Sequence, residues 1–133
     1  MKTITLFSML FLLGNTLSAQ NDEFIKNLCS GKWHKSYWLD EYGQRQLYSM
    51  QISKKSWKVF YPNGKVKIGA GKNEYFGEWE FDPESNTLLI KDRGTIIRSK
   101  IVRLTKSDFV YTVRIQNWEN EYGYKKLNIK SKR

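Results

Sequence analysis

Residues 75–81 read Tyr-Phe-Gly-Glu-Trp-Glu-Phe, and this short stretch decides the fold class. Trp79 and Phe81 fall on one side of an extended chain, whereas Glu78 and Glu80 fall on the other. Side chains alternate between the two faces of a β-strand, so the pattern predicts a strand with one buried and one solvated face.

The same alternation continues on both sides of this stretch. Residues 65–70 place Val66 and Ile68 opposite three polar or small positions, and residues 109–115 alternate in the same way. In the preceding segment the apolar residues oppose Lys58, although Phe60 also falls on the side of Lys58. The predicted inner face carries large rings: Trp57, Tyr61, Tyr75, Trp79 and Tyr111.

Turn residues interrupt the alternation at intervals of about ten residues, which is typical of consecutive antiparallel strands joined by hairpins. The breaks fall at Asp40–Gly43, Lys54-Lys55, Pro62-Asn63-Gly64, Gly71-Lys72-Asn73, Asp82–Asn86, Asp92-Arg93-Gly94, Thr105–Asp108 and residues 117–123. No helical periodicity follows residue 31. We therefore predict an all-β domain of about eight or nine strands, closed as an up-and-down barrel because closure leaves no unpaired edge.

The N-terminal segment has the composition of a secretory signal peptide. Lys2 provides the positive charge, Ile4 to Leu13 form an apolar core too short to span a membrane, and Ala19 precedes the expected cleavage. This predicts export across the inner membrane to the periplasm or the exterior, with no membrane-spanning segment. Residues 20–133 are then a single domain, which begins with a short helix over residues 21–31.

The charge balance constrains the partners. The chain has 133 residues and a formal net charge of +10, which favours an anionic glycan, a lipid head group or an acidic protein. Nucleic acid is not expected for an exported protein, and the scattered basic residues equally fit the solvated face of a sheet. Cys29 is the only cysteine, so no intramolecular disulfide forms and a monomer stabilised by apolar burial is expected.

Candidates for catalysis and metal binding are few. His34 is the only histidine, and one histidine with one cysteine forms neither a recognisable nucleophile–base pair nor a structural zinc site. Glu78 and Glu80 lie about 7 Å apart on one strand, a spacing compatible with glycoside hydrolysis but also with an ordinary solvated face. We predict no enzyme activity, no cofactor and no metal.

Four segments resemble lipocalin-like domains of small secreted bacterial proteins. They are the helix leading into Gly31-Lys32-Trp33, the strand Gly77–Phe81, the strand Asn86–Ile90 and the segment Ile101–Tyr111. The resemblance implies a lipocalin-like barrel whose end is closed by Trp33 beneath a basic side chain of a late strand. Arg114 is the nearest candidate for that side chain, although its alternation points outward.

A second resemblance concerns Phe60–Lys65 together with Gly77–Phe81, which is similar to one unit of the MORN-like hairpin repeats. Such repeats stack in tandem to build a core, and a single copy is visible here.

The excess of aromatic residues is the main functional signal in the sequence. It predicts a binding protein that holds a small, mainly apolar ligand among the inner rings. The same rings could instead fill the barrel completely. The alternative function is a protein- or glycan-interaction module, in which aromatic side chains at one rim act with the basic surface: Trp38, Trp118 and Tyr122.

Overall fold

The structure, a computed structural model, describes residues 22–115 and 118–127, and at Ile115 and Trp118 it describes the backbone alone. The segment predicted as a signal peptide, residues 1–19, lies outside the described residues. Among the helices that are described, none is long and apolar enough to cross a membrane.

Two short helices and nine strands make up the described chain. Helix α1 covers residues 22–28 and helix α2 covers Met50–Lys55. The strands are β1 Lys32–Leu39, β2 Arg45–Leu47, β3 Ser56–Phe60, β4 Lys65–Ala70, β5 Asn73–Asp82, β6 Thr87–Asp92, β7 Thr95–Leu104, β8 Asp108–Ile115 and β9 Trp118–Lys125.

The strands form one antiparallel sheet that closes on itself. From β3 to β9 each strand pairs with the next along the chain, and β1 pairs with both β3 and β9. Eight strands therefore form a closed up-and-down barrel, and β2 extends the sheet beside the second half of β1. The all-β barrel predicted from the sequence is confirmed, and the predicted turns after β3 to β7 separate the strands as expected.

Helix α1 closes one end of the barrel. Its Phe24 stacks on Phe81 with ring centroids 3.7 Å apart, and Leu28 is fully buried. Trp33 at the start of β1 is 0% exposed, donates from its indole nitrogen to the Leu28 carbonyl oxygen at 2.8 Å, and packs against Phe109. Trp33 therefore lies between α1 and the core at this end of the barrel.

The basic side chain over Trp33 is not the one expected. The Lys126 ammonium lies 4.7 Å from the centroid of the Trp33 ring, just after β9 ends. Arg114 is exposed on the outside of β8, as its alternation indicated, so its pairing with Trp33 was wrong. Lys126 reaches the ring because the last residues of β9 lie beside the start of β1, where His34 pairs with Lys125.

Helix α2 was not predicted, and the expectation of β-structure alone after residue 31 was wrong there. Ser49 caps the helix by accepting a hydrogen bond from the Ile52 amide, and no acidic residue lies in its first turn. The helix has six residues, too few for a helical period to stand out in the sequence. Its Ser53 holds it to the outside of β1, where the His34 ring nitrogen Nδ1 donates to the Ser53 carbonyl oxygen at 2.7 Å.

The two faces of β3 are the reverse of those predicted from its sequence. Phe60 pairs with Val66 and is buried in the core, so Lys58 also faces inward. Trp57 and Tyr61 consequently lie on the outer side. Residues directly opposite each other on antiparallel strands have their side chains on the same face of the sheet. Because Phe60 is opposite the buried Val66, Phe60 is the residue of β3 that packs in the core of the barrel.

Acidification should destabilise the fold through His34. Burial lowers the pKa of His34, the Ser53 carbonyl partly offsets this, and the charge of Lys32 adds to it. The unfolded chain then binds a proton more readily than the folded one, so the free energy of unfolding decreases as the pH falls through about 6.5. Urea unfolding at about pH 7.5 and about pH 5.5 should show a smaller loss for His34→Asn than for the wild type. Equal losses in both proteins would contradict this assignment.

Candidate functional site

A group of lysine and tyrosine side chains lies on the inner side of the barrel wall, beyond the end closed by Trp33. The alternation of β1, β3, β8 and β9 directs them inward, and Tyr48 joins them from the segment after β2. We call this group the tyrosine–lysine cluster: Lys35, Lys58, Tyr48, Tyr111, Tyr122 and Tyr124.

The strand registers place these residues side by side. Lys35 on β1 lies directly opposite Tyr124 on β9, and Tyr111 on β8 lies directly opposite Tyr122. Lys58 on β3 is opposite Trp33, so it stands next to the closed end of the barrel. Residues directly opposite each other on antiparallel strands have side chains about 5 Å apart at the Cβ atoms, which explains the close packing of the cluster.

A chain of hydrogen bonds runs through the cluster. The Lys58 ammonium donates to the Tyr124 hydroxyl oxygen at 3.0 Å, and the Tyr111 hydroxyl donates to the same oxygen at 3.2 Å. Tyr111 and Tyr124 are 6% and 2% exposed, and their rings are nearly parallel with centroids 5.7 Å apart. One buried phenol oxygen therefore accepts two hydrogen bonds, one of them from a cation.

The pKa values of the two buried tyrosines are shifted in opposite directions. Burial raises the pKa of Tyr111 well above its ordinary value, and the neighbouring Tyr124 raises it further. Burial also opposes ionisation of Tyr124, but the charges of Lys58 and Lys35, together with the hydrogen bonds from Tyr111 and Lys58, outweigh that effect and lower its pKa. Because both lysines act on Tyr124 more directly than on Tyr111, Tyr124 is the site in the cluster where negative charge is best tolerated.

Further side chains surround the cluster toward the end of the barrel opposite α1. The Tyr48 ring lies 4.8 Å from the Trp38 ring and 5.4 Å from the Lys35 ammonium. Burial and then the neighbouring Asp92 carboxylate raise the pKa of Tyr75, and Lys58 is close enough to lower it in part. This end therefore combines aromatic faces with both signs of charge.

Ser99 is a second polar group on the inner wall. It lies on β7 opposite Leu88 and Val113 and is 0% exposed. Its hydroxyl oxygen has no hydrogen-bond partner among the residues that the structure describes. A buried hydroxyl without a partner lowers the free energy of unfolding by about 1–3 kcal/mol. Ser99 therefore places a hydroxyl inside the barrel that can still form a hydrogen bond.

Three of the five predicted ligand-binding residues lie on the inner side of the wall. Tyr111 and Trp79 are buried in the core cluster, and Tyr75 packs against that cluster while partly exposed. The Trp79 ring is edge-on to Phe60, and Phe60 packs against Phe109, which contacts Trp33. Trp79 therefore belongs to the half of the barrel that Trp33 closes. Its indole nitrogen donates to the Tyr61 carbonyl oxygen at 2.8 Å.

The other two predicted ligand-binding residues lie outside, so their placement on the inner face was wrong. The Trp57 ring covers Gly69 on the neighbouring strand and lies 4.1 Å beneath the Lys32 ammonium. These contacts bury Trp57 without bringing it into the barrel. The Tyr61 ring is 36% exposed and stands beside Phe76 on the outer surface.

Two of the three predicted rim aromatics, Trp38 and Tyr122, come together at the end of the barrel opposite α1. Trp38 and Tyr122 are direct partners on β1 and β9, both are half-buried, and Tyr122 packs against Tyr111 with ring centroids 5.8 Å apart. The strand register turns both rings toward the inner side of the wall. The side chain of Trp118 lies outside the described residues, although its backbone begins β9 at the same end of the barrel.

Sequence reasoning missed the lysines of this site. Lys58 lies between Trp57 and Val59 and was assigned to the solvated face, although Phe60 two residues later carried the signal for the opposite phase. Residues 117–123 were predicted as a turn, which was wrong for residues 118–123, because these belong to strand β9, in which Tyr124 lies opposite Phe109. Lysine side chains are rarely buried without a partner for the ammonium group. The partner of Lys58 is Tyr124, which lies on β9, far along the chain from β3.

The described part of the chain has few residues suited to metal binding or nucleophilic catalysis. No group of three His, Cys, Asp or Glu side chains there could hold a metal ion. Burial raises the pKa of the Cys29 thiol to about 11, which disfavours the reactive thiolate.

Fold and site together define a closed antiparallel β-barrel, sealed by aromatic residues at one end, with a tyrosine–lysine cluster on its inner wall. The sequence matches no known protein-family model and no curated protein sequence.

Proposed function

We propose that this chain is a secreted, non-enzymatic binding protein of lipocalin-like type, which holds a small, mainly apolar ligand inside its barrel. Export is supported by the composition of residues 1–19. Binding is supported by the closed barrel, because barrels of about eight strands have room for side chains or one small ligand.

One observation carries the proposal: polar groups with unused hydrogen-bonding capacity lie on an otherwise apolar inner wall. The Ser99 hydroxyl has no described partner, and the Tyr124 hydroxyl accepts two hydrogen bonds but donates none to a described residue. A barrel filled only to stabilise the fold is better served by apolar side chains at such positions. A few polar groups within an apolar wall are the usual means of orienting a bound molecule.

The mechanism of binding is desolvation without a covalent step. Apolar surface of the ligand leaves water for the aromatic and aliphatic wall, which contributes about 25 cal/mol for each Å² buried. Trp33 and α1 close one end, so the ligand enters from the end that carries Trp38, Tyr48 and Tyr122.

The chemistry of the described residues supports binding over catalysis. The elevated pKa of Cys29 and the bond between His34 and the Ser53 carbonyl are the reverse of an activated thiol–imidazole pair. Glu78 and Glu80 are exposed on the outer face of β5, where Lys65 lies 3.6 Å from Glu78 in an ordinary cross-strand pair. The interaction-module alternative has weaker support, because Trp38 and Tyr122 turn inward.

A neutral apolar probe tests the proposal. N-phenyl-1-naphthylamine should bind saturably, and its emission should rise under tryptophan excitation by energy transfer. Tyr122→Ala removes a ring from the inner wall near the open end, so the probe should bind about tenfold more weakly. Tyr42→Ala is the matched control, since Tyr42 is 81% exposed in the turn after β1, and it should leave binding within about twofold.

Two outcomes would contradict the proposal. Absence of saturable binding to the folded wild-type protein would remove the ligand site altogether. Equal affinities of Tyr122→Ala and the wild type would place the probe outside the barrel. Circular dichroism of each variant shows that the fold is retained in the comparison.

A further inference from the structure

The bonding of Tyr124 leaves one hydrogen unaccounted for. Its oxygen accepts from both Lys58 and Tyr111, so its own hydroxyl hydrogen needs an acceptor of a different kind. Among the described residues the Tyr124 hydroxyl donates no hydrogen bond. The Lys58 ammonium likewise uses one of its three hydrogens on Tyr124 and has no other hydrogen-bond partner there. The Lys58 ammonium and the Tyr124 hydroxyl thus lie side by side, and both have hydrogens that the described residues leave unused.

The positive charges of the tyrosine–lysine cluster also lack a paired negative charge. Within residues 22–115 and 118–127, neither Lys35 nor Lys58 forms an ion pair with a carboxylate. The inward acid Asp92 lies near Tyr75 and 3.5 Å from Arg93, and its buried Oδ1 atom accepts no hydrogen bond from a described residue. It forms no ion pair with either lysine of the cluster. A lysine that is partly withdrawn from water without a counter-charge is costly, and an anion that binds beside it recovers that cost.

We propose that the ligand is an amphiphilic anion, one acidic head group on an apolar body, with the head group bound by Lys58 and the Tyr124 hydroxyl. This rests on the proposed function and specifies the ligand class of the same site. The head group accepts hydrogens from the Lys58 ammonium and the Tyr124 hydroxyl, and Lys35 adds a second positive charge opposite Tyr124. The apolar body lies along the aliphatic and aromatic wall toward the open end.

The Tyr124 hydroxyl is suited to this role by its neighbours. The two hydrogen bonds that it accepts polarise its own O–H group, which strengthens the bond that it donates to an anion. The lowered pKa of Tyr124 agrees with this polarisation. Tyr111 supplies one of those two bonds, so it positions Tyr124 without touching the head group.

The test compares one probe with and without its charge. We would titrate the folded wild-type protein with 11-(dansylamino)undecanoic acid and with its methyl ester at about pH 7.5, where the acid is ionised and the ester is neutral. The acid is expected to bind at least about tenfold more tightly than the ester. Lys58→Met keeps an unbranched side chain of similar length and removes its charge, so it should abolish this preference.

Lys100→Met is the matched control, because Lys100 is exposed on the outer side of β7 and its loss changes the net charge equally. It should keep the preference for the acid within about twofold. Tyr124→Phe retains the ring and should weaken binding of the acid several-fold with little effect on the ester. It also provides a test should Lys58→Met fail to fold.

The outcomes separate this inference from the proposed function. Equal affinities of acid and ester in the wild type would overturn the anionic ligand while leaving apolar binding intact. An equal loss of preference in Lys58→Met and Lys100→Met would also overturn it, since the effect would then be long-range charge alone. Failure of both probes and of N-phenyl-1-naphthylamine would remove the binding function itself.

Discussion

Trp33→Ala is expected to lower the free energy of unfolding by about 3–5 kcal/mol, the range for truncating a fully buried tryptophan. Trp33 is buried between α1 and the core ring of Phe109, and its indole nitrogen satisfies the Leu28 carbonyl oxygen. Truncation leaves a cavity at the closed end of the barrel and removes the hydrogen bond that ties α1 to β1. The measurement is urea unfolding monitored by far-ultraviolet circular dichroism.

Trp33→Phe separates the two contributions in that experiment. It keeps most of the ring contact with Phe109 but leaves the Leu28 carbonyl without its donor, so a smaller loss of about 1–3 kcal/mol is expected. A loss below about 1 kcal/mol for Trp33→Ala would mean that this end of the barrel does not depend on the ring.

Gly77→Ala is expected to lower the free energy of unfolding by at least about 2 kcal/mol. At an unhindered site the same substitution usually stabilises a protein, because alanine lowers the conformational entropy of the unfolded chain. Gly77 lies in β5 opposite Val66, and a Cβ atom there would collide with the backbone carbonyl oxygen of Lys91 on β6. A side chain can rotate away from such a collision, whereas this carbonyl can move only if β5 and β6 separate. The thermal midpoint and urea unfolding measure the loss.

Gly69→Ala is the comparison that tests this reasoning. A Cβ atom at Gly69 would collide with the ring of Trp57, which is a side chain and can be removed. In the double variant Gly69→Ala/Trp57→Ala the loss should therefore be smaller than the sum of the two single losses. Gly77→Ala/Val66→Ala should show no such recovery, because the Val66 side chain is not the main obstacle. Recovery in the second pair would show that the backbone contact is not limiting.

Local pattern was sufficient where hydrophobic and polar residues alternate cleanly. In β5 the exposed Glu78 and Glu80 flank the buried Trp79, and no other phase of that strand buries an aromatic ring without burying a carboxylate. The turn at Asp92-Arg93-Gly94 also follows from local chemistry, because Arg93 and Gly94 take positive φ there.

Local pattern failed where both faces of a segment carry rings. In β3 the sequence offers Trp57 on one face and Phe60 on the other, so alternation alone cannot select the phase. Selection came from Val66 across the hairpin, which pairs with Phe60, and from Gly69, which leaves space for Trp57 outside. Both partners lie on β4, so no reading of β3 by itself could identify Lys58 as an inner residue.

The amino-acid order by itself determined that this chain forms antiparallel strands with an apolar side and a polar side, since alternation and turn chemistry act between near neighbours. Tertiary structure alone decided which donors meet inside the barrel. Tyr124 comes 66 residues after Lys58, and their hydrogen bond exists because barrel closure brings β9 around to β1 and so beside β3. A contact that depends on closing the whole sheet leaves no local trace in the sequence, because its two residues are neighbours only after every intervening strand has paired.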